Sequence, residues 1–138
     1  MKKLIQTLCL MIFATTLAAC GEKASEKTPE EVVKIFATGF ISGNPEKVFE
    51  YVAFEHLSSQ TGESVEKLKE QFLNEAKKER ESGTYSEGIE VKIKEVTINY
   101  EEKTATVEMT IINKKDKKED TAPVKLIKTD QGWKVRSL

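Results

Sequence analysis

The hydrophobic period of this chain changes once, at Gly83, and that change constrains the fold more than any other feature. Up to Glu81 the apolar residues recur at spacings near four, the repeat of one helix face. Val32, Phe36 and Phe40, with Val33, Ala37 and Ile41 beside them, make the first such stripe. From Ile89 onward apolar and polar residues alternate, the repeat of a strand buried on one side. A run of helices followed by a run of strands is the order of an α+β domain.

Local signals place the helices. In "TPEE" Thr28 caps, Pro29 takes the first helical position, where its missing N–H costs nothing, and Glu31 completes a capping box. Gly43 is a stop signal, and Asn44 with Pro45 opens a short second helix that buries Val48, Phe49, Tyr51 and Val52. A third helix is predicted from about Ser64 to Glu81. Val65, Leu68, Phe72 and Ala76 form its buried stripe, and the pairs Glu63–Lys67, Glu75–Lys78 and Lys77–Glu81 lie on its wet face.

In the strand half, Ile89, Val91 and Ile93 are followed one residue out of step by Val96, Ile98 and Tyr100. A β-bulge at Lys94-Glu95 would keep all six on one face and bend the strand. With "EEKT" as the turn, Tyr100 pairs with Ala105, Ile98 with Val107, Val96 with Met109 and Ile93 with Ile111. "NKKDKKEDTAP" reads as a solvated hairpin tip before two last strands, about 123–129 and 133–138. The turn at "DQG" leaves two registers open: a three-residue loop with Gly132 left-handed places Ile127 beside Trp133 and Val135, and a two-residue loop places Leu126 there. Trp133 is buried in both.

The start of the chain has the layout of a secretory signal: Lys2 and Lys3, the apolar "LIQTLCLMIFATT", then Ala18 and Ala19. The apolar run falls short of the roughly 20 residues that span a bilayer. Leu17-Ala18-Ala19-Cys20 resembles the lipobox of bacterial lipoproteins. The resemblance implies diacylglyceryl transfer to the Cys20 sulfur, cleavage before it, fatty acylation (palmitate) of the new amine, and residence in the cell envelope, lipid-anchored to a membrane and facing the periplasm or exterior. The expected organisation is a signal peptide over 1–19, a lipidated tether over 20–27 and a single α+β domain over 28–138. Cys9 leaves with the leader, so the mature chain has no second cysteine for a disulfide. Removing Lys2 and Lys3 from the 22 basic groups leaves 20 against 23 acids, so there is no net basic field to attract nucleic acid.

The segments "TPEEVVKIFATGFISGNPEKVFEYVA" and "VKLIKTDQGWKVRSL" resemble the nuclear-transport-factor-2-like superfamily, and within it bacterial lipoproteins that carry such a domain right behind a lipobox. The resemblance covers about 28 to 138. It implies a cone in which N-terminal helices pack on one concave face of a four-stranded, strongly bent antiparallel sheet. Such cones hold a pocket between helices and sheet, used for isomerases and dehydratases, for small ligands and for protein contact.

An enzyme of that kind needs an acid or base in an apolar pocket. On the derived strand face, positions 89, 91, 93, 96, 98, 100, 105, 107, 109 and 111 hold no Asp, Glu or His, and the Tyr100 phenol is the one polar tip. His56 is the sole histidine, and a base would be argued there, with Glu55 next to it and Tyr51 five residues earlier. Neighbours in sequence cannot share a helix face, so a Glu55–His56 dyad requires non-helical backbone, and His56 reads instead as a loop residue at a helix end. One histidine and an acylated cysteine supply no metal site. No phosphate-cradling glycine loop or nucleophile motif occurs, and no cofactor is expected. Phe40, Phe54, Tyr100 and Trp133 are the candidate pocket residues. The function expected is a non-catalytic binding module for a small apolar ligand or a partner protein; the alternative is a pocket enzyme of isomerase or dehydratase type.

Overall fold

Thr28 and Glu31 cap one another: the Thr28 N–H donates to Glu31 Oε2 at 2.8 Å, and the Glu31 N–H donates to Thr28 Oγ1 at 3.3 Å. The predicted capping box therefore opens α1, Pro29–Ser42. The structure, a computed structural model, describes residues 26–137 apart from Gly43. The signal-peptide reading of 1–19, Cys20 with most of the tether, and the stop at Gly43 lie outside the described residues. Along α1, Val32, Val33, Phe36 and Ala37 are buried. Burying a Val or Phe side chain contributes about 1.5–3 kcal/mol, enough to hold a helix of this length where propensity alone would not.

After α1 the chain turns through a 3-10 helix, Pro45–Tyr51. Gly39 makes this corner possible, because a Cβ there would run into Val48 Cγ1. Asn44 donates its N–H to the Gly39 carbonyl at 3.1 Å, but its side chain forms no cap bond, so Pro45 rather than Asn44 fixes the start. A further helix, α2 (Phe54–Thr61), is one the hydrophobic pattern did not announce. Its sequence "FEHLSSQT" is rich in residues of weak helix propensity. Tertiary contact holds it at one end through buried Phe54, and Gly62 ends it in a left-handed turn at φ 76°. The last helix, α3 (Val65–Glu81), starts at Ser64, whose hydroxyl accepts from the Lys67 N–H. The three predicted ion pairs form along it: Glu63–Lys67 at 2.7 Å, Glu75–Lys78 at 2.8 Å and Lys77–Glu81 at 3.8 Å.

Four antiparallel strands follow in spatial order: β1 (Ile89–Asn99), β2 (Thr104–Asn113), β3 (Glu119–Thr129) and β4 (Gly132–Ser137). Together with the helices they make the α+β fold that the sequence predicted. Lys94 is the bulged residue, lying between the pairs Ile93↔Met109 and Glu95↔Glu108. The β1–β2 register differs by two residues from the one expected: Ile98, not Tyr100, lies opposite Ala105, and Val96 lies opposite Val107. Asn99 supplies the reason, since its Oδ1 accepts the Glu102 N–H at 3.1 Å and starts the turn one residue early. Lys103 completes it at φ 54°. A shift of two leaves every side chain on its own face, so the apolar face survives while the cross-strand partners change.

β3 begins at Glu119, four residues before the expected start, and the lysine-rich tip shrinks to Lys114–Lys118. At the last turn Gly132 is left-handed at φ 100°, yet Leu126, not Ile127, pairs with Val135. Leu126 is accordingly fully buried. The outer edge of β4 is covered where Val52 bridges Val135 in parallel, and the Ala53 N–H donates to the Val135 carbonyl at 2.8 Å. α1 lies across β1, β2 and β4 on one face of the sheet. Between them is the core of Val32, Val33, Phe36, Val107, Val124, Leu126, Trp133 and Val135. α3 packs on the other helices as an outer layer.

Candidate functional site

Five phenylalanine rings occupy the space among the helices. Phe72 of α3 has its ring centre 5.1 Å from Phe40, 5.8 Å from Phe49, and 5.9 Å from both Phe36 and Phe54. Most of these contacts are tilted or edge-on, the arrangement ring quadrupoles favour. Lys69, one turn before Phe72, lays its Nζ 5.6 Å from the Phe49 ring centre and 5.8 Å from that of Phe54. Phe40 and Phe54, two of the four candidate pocket residues, therefore pack around the same central ring, and Phe54 also lines the groove beside His56.

Tyr100 corrects the sequence reading. The early turn carries it off the strand, and its side chain is 81% exposed instead of facing the space between helices and sheet. Trp133 is buried at 9% exposure and shares the inner face with Leu126 and Val135. Its accessible rim forms one wall of an open groove of about 480 Å³, whose other walls are Tyr100, Lys103, Lys128, Thr129 and Asp130. The Lys128 Nζ stands 5.9 Å from the centre of the Trp133 ring, and the Lys128 N–H donates to the Lys103 carbonyl at 2.8 Å, tying the two turns together. Of the four predicted residues, Tyr100 and Trp133 meet here, at the β1–β2 and β3–β4 turns.

His56 lies on α2, so the expectation of a loop histidine is not met. The helical backbone separates it from exposed Glu55 by about 100° of rotation, and the dyad's requirement for non-helical backbone is not satisfied. Its Nε2 is shielded and has no hydrogen-bond partner among the described residues. The residue borders a second groove of about 470 Å³, along with Val65, Lys69, Asp130 and Lys134. Lys128, Thr129 and Asp130 border both grooves, which lie next to one another at the β3–β4 turn.

The perturbed phenols lie elsewhere. Burial, then the neighbouring Glu50 carboxylate, pushes the Tyr51 hydroxyl above its usual range. Burial, then the carboxylates of Asp120, Glu79 and Asp116, does the same to Tyr85. Among the described residues no three His, Cys, Asp or Glu side chains gather as a metal site would need. No helix among them is long and apolar enough to cross a membrane.

The first groove offers an aromatic platform, Tyr100 with the Trp133 rim, flanked by Lys103 and Lys128. Such a surface stacks a flat or apolar group and contacts an anion. Sequence reasoning missed Lys69, Lys103 and Lys128, because a lysine at a turn or on a helix carries no pattern of its own. Only the pairing of two distant turns brings Lys103 and Lys128 together, and Lys69 reaches the second groove from α3.

A solved structure from Campylobacter jejuni, at 2.00 Å and described as a candidate NTF2-like transpeptidase, matches this fold with a TM-score of 0.65. The match has 21% sequence identity and covers 81% of this chain and 100% of that one. At that identity the likeness establishes the fold alone, which is NTF2-like. No curated protein matches the chain in sequence. The profile of a domain of unknown function, DUF4878, matches residues 18–136, and the chain belongs to that family.

Proposed function

We propose that the protein is a lipid-anchored, non-catalytic binding module of the cell envelope that makes its contact through the groove between Tyr100 and Trp133. The supporting observation is the packing of Phe36, Phe40, Phe49, Phe54 and Phe72 about one another at 5.1–5.9 Å. Where rings fill the space among the helices, a partner is met from outside. Tyr100 is the large hydrophobic residue that the described surface exposes. The anchor is the diacylglyceryl group expected on Cys20, which follows the secretory leader. One acyl chain binds a membrane only marginally, and two or three hold it firmly, so the domain is free for contact.

The name of the Campylobacter jejuni protein raises transpeptidation, which requires a serine or cysteine activated by a base. Cys9 and Cys20, the two cysteines of the chain, lie outside the described residues. Ser58 and Ser59, near His56 in sequence, donate their hydroxyls to the carbonyls of Glu63 and His56. Neither hydroxyl is hydrogen-bonded to the imidazole, so the groove favours binding.

The test screens lipid and metabolite extracts against the purified protein, with Trp133 fluorescence as reporter, since it is the single tryptophan. Binding that is lost in Tyr100→Ala and retained in His56→Ala supports the module. Turnover that disappears in His56→Ala with the fold intact replaces it with an enzyme of isomerase or dehydratase type.

A further inference from the structure

We infer that the groove's partner is the headgroup layer of the protein's own bilayer: the domain stands on the membrane with its β1–β2 and β3–β4 turns down and Tyr100 in the interface. This rests on the lipid anchor proposed at Cys20. The chain enters the described structure at Glu26, and Glu26 lies against the β3–β4 turn, its Cα 3.9 Å from where a Cβ on Gly132 would be. Six peptide steps separate Cys20 from Glu26. At about 3.5 Å per step they reach no farther than roughly 21 Å. The anchor thus holds the turn end of the sheet close to the lipid, and the same end exposes Tyr100.

The opposite end carries the lysine-rich tip, Lys114–Lys118, beyond the far ends of β2 and β3. Those strands run about ten residues, at roughly 3.3 Å each, so the tip projects some 30 Å farther out. Position therefore selects Tyr100 over the lysine-rich tip as the membrane contact.

Net charge does not drive the docking, because Lys103 and Lys128 are balanced by Glu101, Glu102 and Asp130 at the same end. The phenol suits the interface: an apolar ring with a polar tip sits at headgroup depth. The two lysines can extend their ammonium groups to lipid phosphates while their stems stay along the ring. One aromatic contact would not hold a free domain to a bilayer. A short tether raises the effective concentration of the surface to the millimolar range, where weak contacts suffice to set orientation.

The experiment uses the full lipidated protein in phosphatidylethanolamine–phosphatidylglycerol vesicles that carry a dansyl headgroup lipid, and measures energy transfer from Trp133. Tyr100→Ser combined with Lys103→Glu should lower transfer at least about twofold, because the released domain samples the whole tether length. Replacing Lys114, Lys115, Lys117 and Lys118 by Ala should leave transfer unchanged. Circular dichroism confirms the fold of both variants, since all six positions are exposed. Equal transfer in wild type and the turn variant overturns the docking, and so does a loss confined to the tip variant. A wild-type protein that takes up no fatty-acid label overturns the anchor and the docking together, and that label is read separately from the transfer.

Discussion

Ala53 donates its backbone N–H to the carbonyl of Val135 at 2.8 Å, and through this bond the linker between two helices closes the free edge of β4. Proline at position 53 tests it. Ala53 has φ −82°, within reach of proline, and Val52 at φ −111°, ψ 132° already has the conformation required before one. Ala53→Pro therefore removes the donor and sets its Cδ against the Val135 oxygen, so the cost should be at least the roughly 1–3 kcal/mol of an unpaired buried carbonyl. A urea midpoint equal to that of wild type would show that the linker contributes nothing to the edge.

Gly39 faces Val48 across the helix corner with no room for a methyl group. In an open helix Gly→Ala gains nearly 1 kcal/mol; here the overpacking should outweigh it and produce a net loss of about 1–3 kcal/mol. Pairing it with Val48→Ala, which vacates the space, should recover part of that loss as a coupling energy. Additive losses in the double variant would show that the two residues do not meet.

Phe72 contacts four other phenylalanine rings, so removing it leaves a shared void. Phe72→Ala should cost about 3 kcal/mol, the lower end for buried aromatics, because its own ring is only half-buried. Trp133→Ala should cost on the order of 3–5 kcal/mol. Denaturant midpoints measure both. A Phe72 variant as stable as wild type would mean that the cluster has no cohesion of its own.

Tyr85 should make the fold sensitive to alkali. Its hydroxyl is held above the ordinary value of 10.0, first by burial and then by the carboxylates of Asp120, Glu79 and Asp116. The unfolded phenol ionises before the folded one. Stability is therefore complete below about pH 10 and declines as pH rises through the raised folded value. Tyr85→Phe should flatten part of that decline, with Tyr51 responsible for a further part. Identical alkaline profiles for wild type and variant would place the sensitivity elsewhere.

Cys20→Ser should remove fatty-acid label from the protein and block cleavage of the leader, because only a thiol accepts the diacylglyceryl group in the lipobox reading. Equal labelling of both forms would remove the anchor and the envelope assignment that depends on it.

The sequence by itself determined the elements whose cause is local. The capping box of Thr28 and Glu31, the stripe of α1, the span of α3 with its three ion pairs, and the Lys94 bulge depend on residues within a turn or two of each other, so periodicity exposes them. Contacts between distant segments were decided in three dimensions. The polar α2 is helical because Phe54 is buried beneath it, and no spacing announces that. The β1–β2 turn is a local case that hydrophobic alternation does not register: the Asn99 side chain, bonded three residues on to Glu102, moved it by one residue, which left the inner face intact but put Tyr100 outside. The choice of Leu126 over Ile127 at the last hairpin followed from which residue the core could bury. The groove itself is wholly tertiary: Tyr100, Lys103, Lys128 and Trp133 come from two turns that meet only because β2 and β3 pair, and pairing across the sheet is a global choice that no local window contains.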